Sequence, residues 1–177
     1  MEPEDYSRAA LWRVSLAGFR VNLLPGLLLW ILGMTVVLTY YSLESTRFFF
    51  DRVMQIKQEY GYLYSFLATG FFGGFIPFLY LWRSGRVPKG MVRAYGMFFP
   101  LYWAVRGTEV DAFYRLQGLL FGNEPDLATI ATKVFMDQFV YCIFWAAPVT
   151  AVFYGWKDCG FSWRRLRKET SRQSFLF

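Results

Sequence analysis

Three stretches without one charged side chain constrain this chain more than any other feature: residues 21–43, 60–82 and 138–156, which are 23, 23 and 19 residues long. A hydrocarbon core of about 30 Å is crossed by roughly 20 apolar residues in a helix, and a helix in a soluble core rarely stays charge-free for so long. The overall balance agrees, with 55% hydrophobic, 22% aromatic and only 18% charged residues. The expected fold is an all-α membrane protein: one integral membrane domain, 1–177, built as a bundle of four transmembrane helices with short amphipathic interfacial helices.

The start is acidic at Glu2, Glu4 and Asp5, where a secretory signal would be basic, so the first apolar run reads as a retained span. Ahead of it, Arg8, Arg13 and Arg20 alternate with Leu11, Trp12, Leu16 and Phe19, the pattern of an interfacial helix over 8–20. The spans then follow at 21–43, 60–82, 94–121 and 127–156. The polar connection between the first two, 44–59, carries Phe49, Phe50, Val53 and Ile56 near helical spacing and is expected to lie on the membrane. The tail, 157–177, is basic and juxtamembrane.

The second span places Ser65, Thr69, Gly73 and Pro77 four residues apart, with Gly70 and Gly74 beside them. Small residues at that spacing let two helix backbones approach closely, either inside the chain or across a homo-oligomer seam. The third span has a charged second half. Arg106 and Glu109 are three apart, and Asp111 and Arg115 four apart, so each pair can meet on one helix face. Inside a bilayer those groups must face protein or water; outside it they are a solvated helix end. The turn at 122–126 breaks that helix, and Asp126 suits the N-cap of the next. There Lys133 and Asp137 stand four apart, with Gln138 adjacent and Tyr141 one turn on. They form either a structural Lys–Asp pair or an intramembrane polar site. Pro148 is expected to kink this helix, and Trp156 to mark its interfacial end.

With four spans, thirteen basic residues fall on one side and six on the other, where eight acids outnumber them. The basic side should face the cytoplasm, or a mitochondrial matrix, and hold both termini. In the tail, Arg164, Arg165, Arg167 and Lys168 surround Trp163 and suit contact with anionic lipids on that side. The expected partners are therefore the bilayer and its anionic lipids. No basic soluble domain is present for nucleic acid.

The chain has no histidine, which removes His-based acid–base chemistry and nearly all zinc or non-haem iron sites. Cys142 and Cys159 would lie about 25 Å apart along one helix, too far for a disulfide. No metal, cofactor or catalytic residue is expected, and an enzyme is the reading with least support.

The residues Gly107, Phe113, Tyr114 and Arg115, followed by Lys133, Asp137 and Gln138, resemble the Mpv-type family of peroxisomal and mitochondrial inner-membrane proteins. That family carries G-P-x-x-H-x-W/F-Y-R and then K-x-x-x-D-Q opening an apolar helix. The family's proline is Thr108 here, its histidine is Asp111, and a later proline is Ile143. The resemblance spans residues 93–156, adds a first span, and lacks the family's last helix, as a divergent, bacterial or C-terminally truncated member would. It implies a small helical bundle in a bacterial inner or organelle membrane, with a role as a solute pore or in metabolite homeostasis. Read from the charges themselves, a channel or carrier would use Arg106, Glu109, Asp111, Arg115, Lys133, Asp137, Gln138 and Tyr141 as a polar lining or cluster for small solutes. The alternative is a structural or assembly subunit in which the same charges are buried clasps.

Overall fold

The computed structural model describes residues 8–174; the acidic start and residues 175–177 lie outside them. The described residues are helical apart from short connections, and the chain divides into two compact units, Met1–Glu59 and Tyr60–Phe177. In the first unit, α1 (Arg8–Ser42) meets α2 (Glu44–Tyr60) at a bend of 105°. The separate interfacial helix expected at 8–20 is instead the continuous beginning of α1. Pro25 and Gly26 therefore lie in the interior of α1, which continues through them. Residues 44–59, expected as a connection with helical spacing, form a regular helix. Tyr40 Oη reaches Asp51 at 3.4 Å, and Tyr40 packs edge-on to Phe50, which fixes the corner.

The second unit is built on α3 (Tyr62–Arg83), α4 (Val92–Phe121) and α5 (Leu127–Asp158), followed by the short α6 (Trp163–Ser174). Among the described residues, α3 and α5 are long and apolar enough to cross a membrane, and the bent pair α1–α2 would add a third if it counts as one span. These helices are compatible with an integral membrane protein. In α4, three charged residues between Arg106 and Asp111 interrupt the apolar stretch.

Both α3 and α5 change pitch at a proline. A π-helical turn, Gly70–Phe75, immediately precedes Pro77, and a longer π-helical stretch, Met136–Ala146, precedes Pro148. A proline inside an α-helix removes one hydrogen bond and crowds the carbonyl four residues back. Widening the preceding turns relieves that crowding without breaking the helix, so Pro148 marks a change of pitch within one helix. In α4, Pro100 is accommodated inside an α-helical run.

The core forms where α3 meets α4. A methyl group added at Gly74 would lie 2.5 Å from the Phe99 carbonyl oxygen, and one at Gly70 would lie 3.1 Å from that of Pro100. Opposite them, Gly107 sits against the Thr69 side chain and the Ser65 carbonyl. The small-residue face of the second span is thus filled by α4 of the same chain. Gly73 turns to the side, with Trp103 at an ordinary 3.5 Å.

The contact of α4 with α5 is made by long side chains instead. Tyr102 Oη donates to Thr150 at 2.8 Å, Trp103 Nε1 to Tyr154 at 3.3 Å, and Phe113 stacks on Tyr141 at 4.3 Å. At the far end Phe98, Trp156 and Phe161 form an aromatic cluster, with Trp163 of α6 stacked on Trp156 at 5.4 Å. Phe161 follows Gly160 in left-handed backbone, at φ 60°. Such a conformation costs a bulky residue about 1–3 kcal/mol, here offset by inserting its ring between Tyr95, Phe98 and Trp156.

Candidate functional site

The charged half of α4 resolves into two clusters, each reaching a different neighbour. Arg106 is buried and gives its Nη1 to both carboxylate oxygens of Glu109, at 2.6 and 2.7 Å. Two α5 side chains complete the cluster: Tyr141 Oη and Trp145 Nε1 each donate to Glu109 Oε1 at 2.7 Å. One carboxylate oxygen therefore accepts three donors from two helices, while the Arg106 guanidinium lies 5.9 Å from the Tyr141 ring centroid. The physical need is plain. A carboxylate among apolar helices is stable only when paired and hydrogen-bonded.

The second cluster faces α3. Asp111 is buried; it accepts from Ser65 Oγ at 2.9 Å and from Arg115 at 3.3 and 3.4 Å. Arg115 is half exposed and its guanidinium stacks over the Tyr62 ring at 4.5 Å. Together with Tyr114, Gly118, Leu119 and Asn123 these residues border an open crevice of about 610 Å³. Both i,i+3 and i,i+4 pairs expected from the sequence are thus made. Ser65, expected as a packing residue, also serves as a hydrogen-bond donor.

Lys133 and Asp137 do not pair. Lys133 Nζ turns back to Asn123 Oδ1 at 3.3 Å, and Asp137 accepts from its neighbour Gln138 at 2.7 Å. The π-helical stretch begins at Met136, between the two, and each side chain has another partner. The change of pitch alters the backbone ladder near the Lys133 carbonyl, and the fully buried Gln117 of α4 donates to that oxygen at 3.2 Å. Tyr141, expected one turn beyond Asp137 on the same face, belongs to Glu109 instead.

Two features were not singled out from the sequence, and a third, Lys157, was read there with the basic tail. Trp145 is a ligand of Glu109. Gln117 fastens α4 to α5. Lys157 is buried at the end of α5, its ammonium 5.0 Å from the Tyr95 ring centroid and 5.3 Å from that of Tyr154, and ion-paired with Asp158. A lysine three residues after a tyrosine at the end of an apolar run was the available signal. On α6, Arg164, Arg165, Arg167 and Lys168 are all exposed, as their expected role requires. Among the described residues no cluster of histidine, cysteine or carboxylate side chains could hold a metal ion, and Cys142 and Cys159 are free thiols.

Most polar side chains of the α4–α5 contact bond to one another, although Gln117 Oε1 is buried without a hydrogen-bond partner, and the space beside them is apolar. A groove of about 650 Å³ runs along α4 and α5, bordered by Met97, Leu101, Val105, Val149 and Phe153, with Arg106, Glu109 and Trp145 at one end. Comparison with known protein families, curated proteins and solved structures finds no match to this chain.

Proposed function

We propose that this chain is a multi-pass membrane protein acting as a structural or assembly subunit, in which the α4 charges fasten helices together. The observation that carries this reading is Glu109, whose carboxylate is held by Arg106 of its own helix and by Tyr141 and Trp145 of α5. A group lining an aqueous path keeps most of its hydrogen-bonding capacity for water; this one accepts from three protein side chains, all three on Oε1.

In the same proposal α4 crosses the bilayer beside α3 and α5, making four spans with α1. The register supports it: Asp111 is bonded to Ser65 and Gly107 abuts Thr69, and both partners lie within the apolar run of α3. The basic 83–93 connection and α6 then share the cytoplasmic or matrix face, where each exposed basic residue contributes about 1 kcal/mol of attraction to an anionic leaflet. Kinship with the Mpv-type family stays part of the proposal, on the residues that carry it. The second reading, a channel or carrier for small polar solutes, is favoured by the crevice beside Asp111 and Arg115, which is open and partly polar.

Flux decides between them. Liposomes holding the purified, folded protein should be no leakier than empty ones to graded uncharged and charged solutes, for both the parent and Glu109→Lys. Solute flux that the parent supports, with selectivity shifted towards anions by Glu109→Lys, would replace the structural reading with the channel.

A further inference from the structure

The α4–α5 groove has the shape and polarity of a site for one amphiphile. From Ala94 to Glu109 it follows α4 for about 22 Å at ~1.5 Å per residue, the reach of an extended palmitoyl- or oleoyl-length tail. Its sides are Met97, Leu101, Val105, Val149 and Phe153, and Phe161, in left-handed backbone, borders its far end. Backbone strain of this kind persists where the surroundings hold it and gathers at binding sites. All hydrogen-bonding side chains of the other end belong to the Glu109 cluster. Arg106 is nine-tenths buried, with 9% of its side chain exposed, and Glu109 keeps 28%. Only the Nη1 of Arg106 is engaged with Glu109, and a guanidinium has five N–H donors.

We propose that this groove binds a neutral monoacyl lipid of the surrounding bilayer, its tail along α4 and its hydroxyl- or ester-bearing head against Arg106, Glu109 and Trp145. The charge of the site selects the head. Arg106 and Glu109 cancel, so an anionic head would meet the Glu109 carboxylate and a cationic head the Arg106 guanidinium, each at low dielectric and without a counter-ion of its own. A neutral head pays neither cost: its carbonyl or hydroxyl oxygen accepts from Arg106, and its hydroxyl proton is donated to the carboxylate. This goes beyond the structural role proposed above and does not depend on the absence of solute flux.

The test uses the full chain in lipid nanodiscs with a trace of photoactivatable mono-oleoylglycerol, followed by mapping of the cross-linked peptides. Labelling should fall on residues 94–109 and 145–161, saturate, and be competed at least tenfold better by mono-oleoylglycerol than by oleate or oleylamine. Leu101→Trp and Val105→Trp fill the groove at positions already more than half exposed, so the fold tolerates them. Each should cut this labelling at least tenfold, whereas Leu119→Trp, at an 85% exposed position away from the groove, should leave it unchanged. Glu109→Gln makes the site net positive and should move oleate to the front of the competition. Labelling that does not saturate, spreads evenly over the apolar surface, or survives Val105→Trp overturns the site. Oleate or oleylamine competing best against the parent overturns the neutral head.

Discussion

Glu109 is the side chain on which most interactions converge, and its replacement has a calculable consequence. Glu109→Gln leaves Arg106 buried without its counter-charge, and breaking one partner of such a pair costs about 3–5 kcal/mol. Glu109→Leu should be no milder. The double substitution Arg106→Leu/Glu109→Leu should recover much of the loss, because two apolar groups need no partner. Unfolding in detergent by denaturant measures all three. A parent-like Glu109→Gln protein would show that the pair is solvated. Glycines supply a second residue-scale contrast. At Gly74 a methyl group would press on the Phe99 carbonyl at 2.5 Å, whereas at Gly73 it would meet Trp103 and Thr69 at 3.5 Å. Gly74→Ala should therefore lose about 1–3 kcal/mol through overpacking, and Gly73→Ala should change little. Equal effects at the two positions would contradict the α3–α4 packing.

At the scale of elements, packing and capping decide what meets what. Tyr141 and Trp145, both in the π-helical stretch of α5, meet Glu109, while Lys133 and Asp137, on either side of its start, take other partners. At the start of α5, Asp126 accepts from the Thr129 amide at 3.0 Å, and hydrogen bonds from the Thr129 hydroxyl and amide hold its carboxyl below the usual Asp range. A lowered pKa stabilises the fold above the unfolded value of about 3.9 and loses that contribution as pH falls through the lowered value. Asp126→Ala should accordingly speed hydrogen exchange at Thr129 and its neighbours at neutral pH. The difference from the parent should vanish in acid strong enough to protonate the parent's carboxyl too. A difference that persists undiminished in acid would assign the cap to something other than the carboxylate.

For the whole molecule the deciding question is whether α4 crosses the bilayer. Its two ends are marked by Ser84, in the basic connection before it, and Glu124, in the turn after it, both exposed. Single cysteines at Ser84 and Ser171 should react with an impermeant thiol reagent from one face of sealed vesicles, and one at Glu124 from the other, in a background with Cys142 and Cys159 replaced. Labelling of Ser84 and Glu124 from the same face would return α4 to the surface and leave the charged clusters in water. The outcome also sets the worth of the clasps, since an exposed ion pair contributes about 1 kcal/mol or less.

What the chain's sequence determined by itself is everything that depends on local pattern. The charge-free runs at 60–82 and 138–156 are the helices α3 and α5, and the Arg106–Glu109 and Asp111–Arg115 spacings are ion pairs, because helical geometry brings residues three and four apart onto one face. Asp126 caps α5 for an equally local reason. Other facts required the assembled helices. The direction in which Gly70 and Gly74 face depends on which helix is near enough to fill the notch, and that helix is α4. The Tyr141 and Trp145 bonds to Glu109 span more than thirty residues of chain. They arise only when α5 packs beside α4. The groove between α4 and α5 is likewise a property of two surfaces together: long aromatic side chains hold the helices apart, and no spacing within either helix encodes the gap.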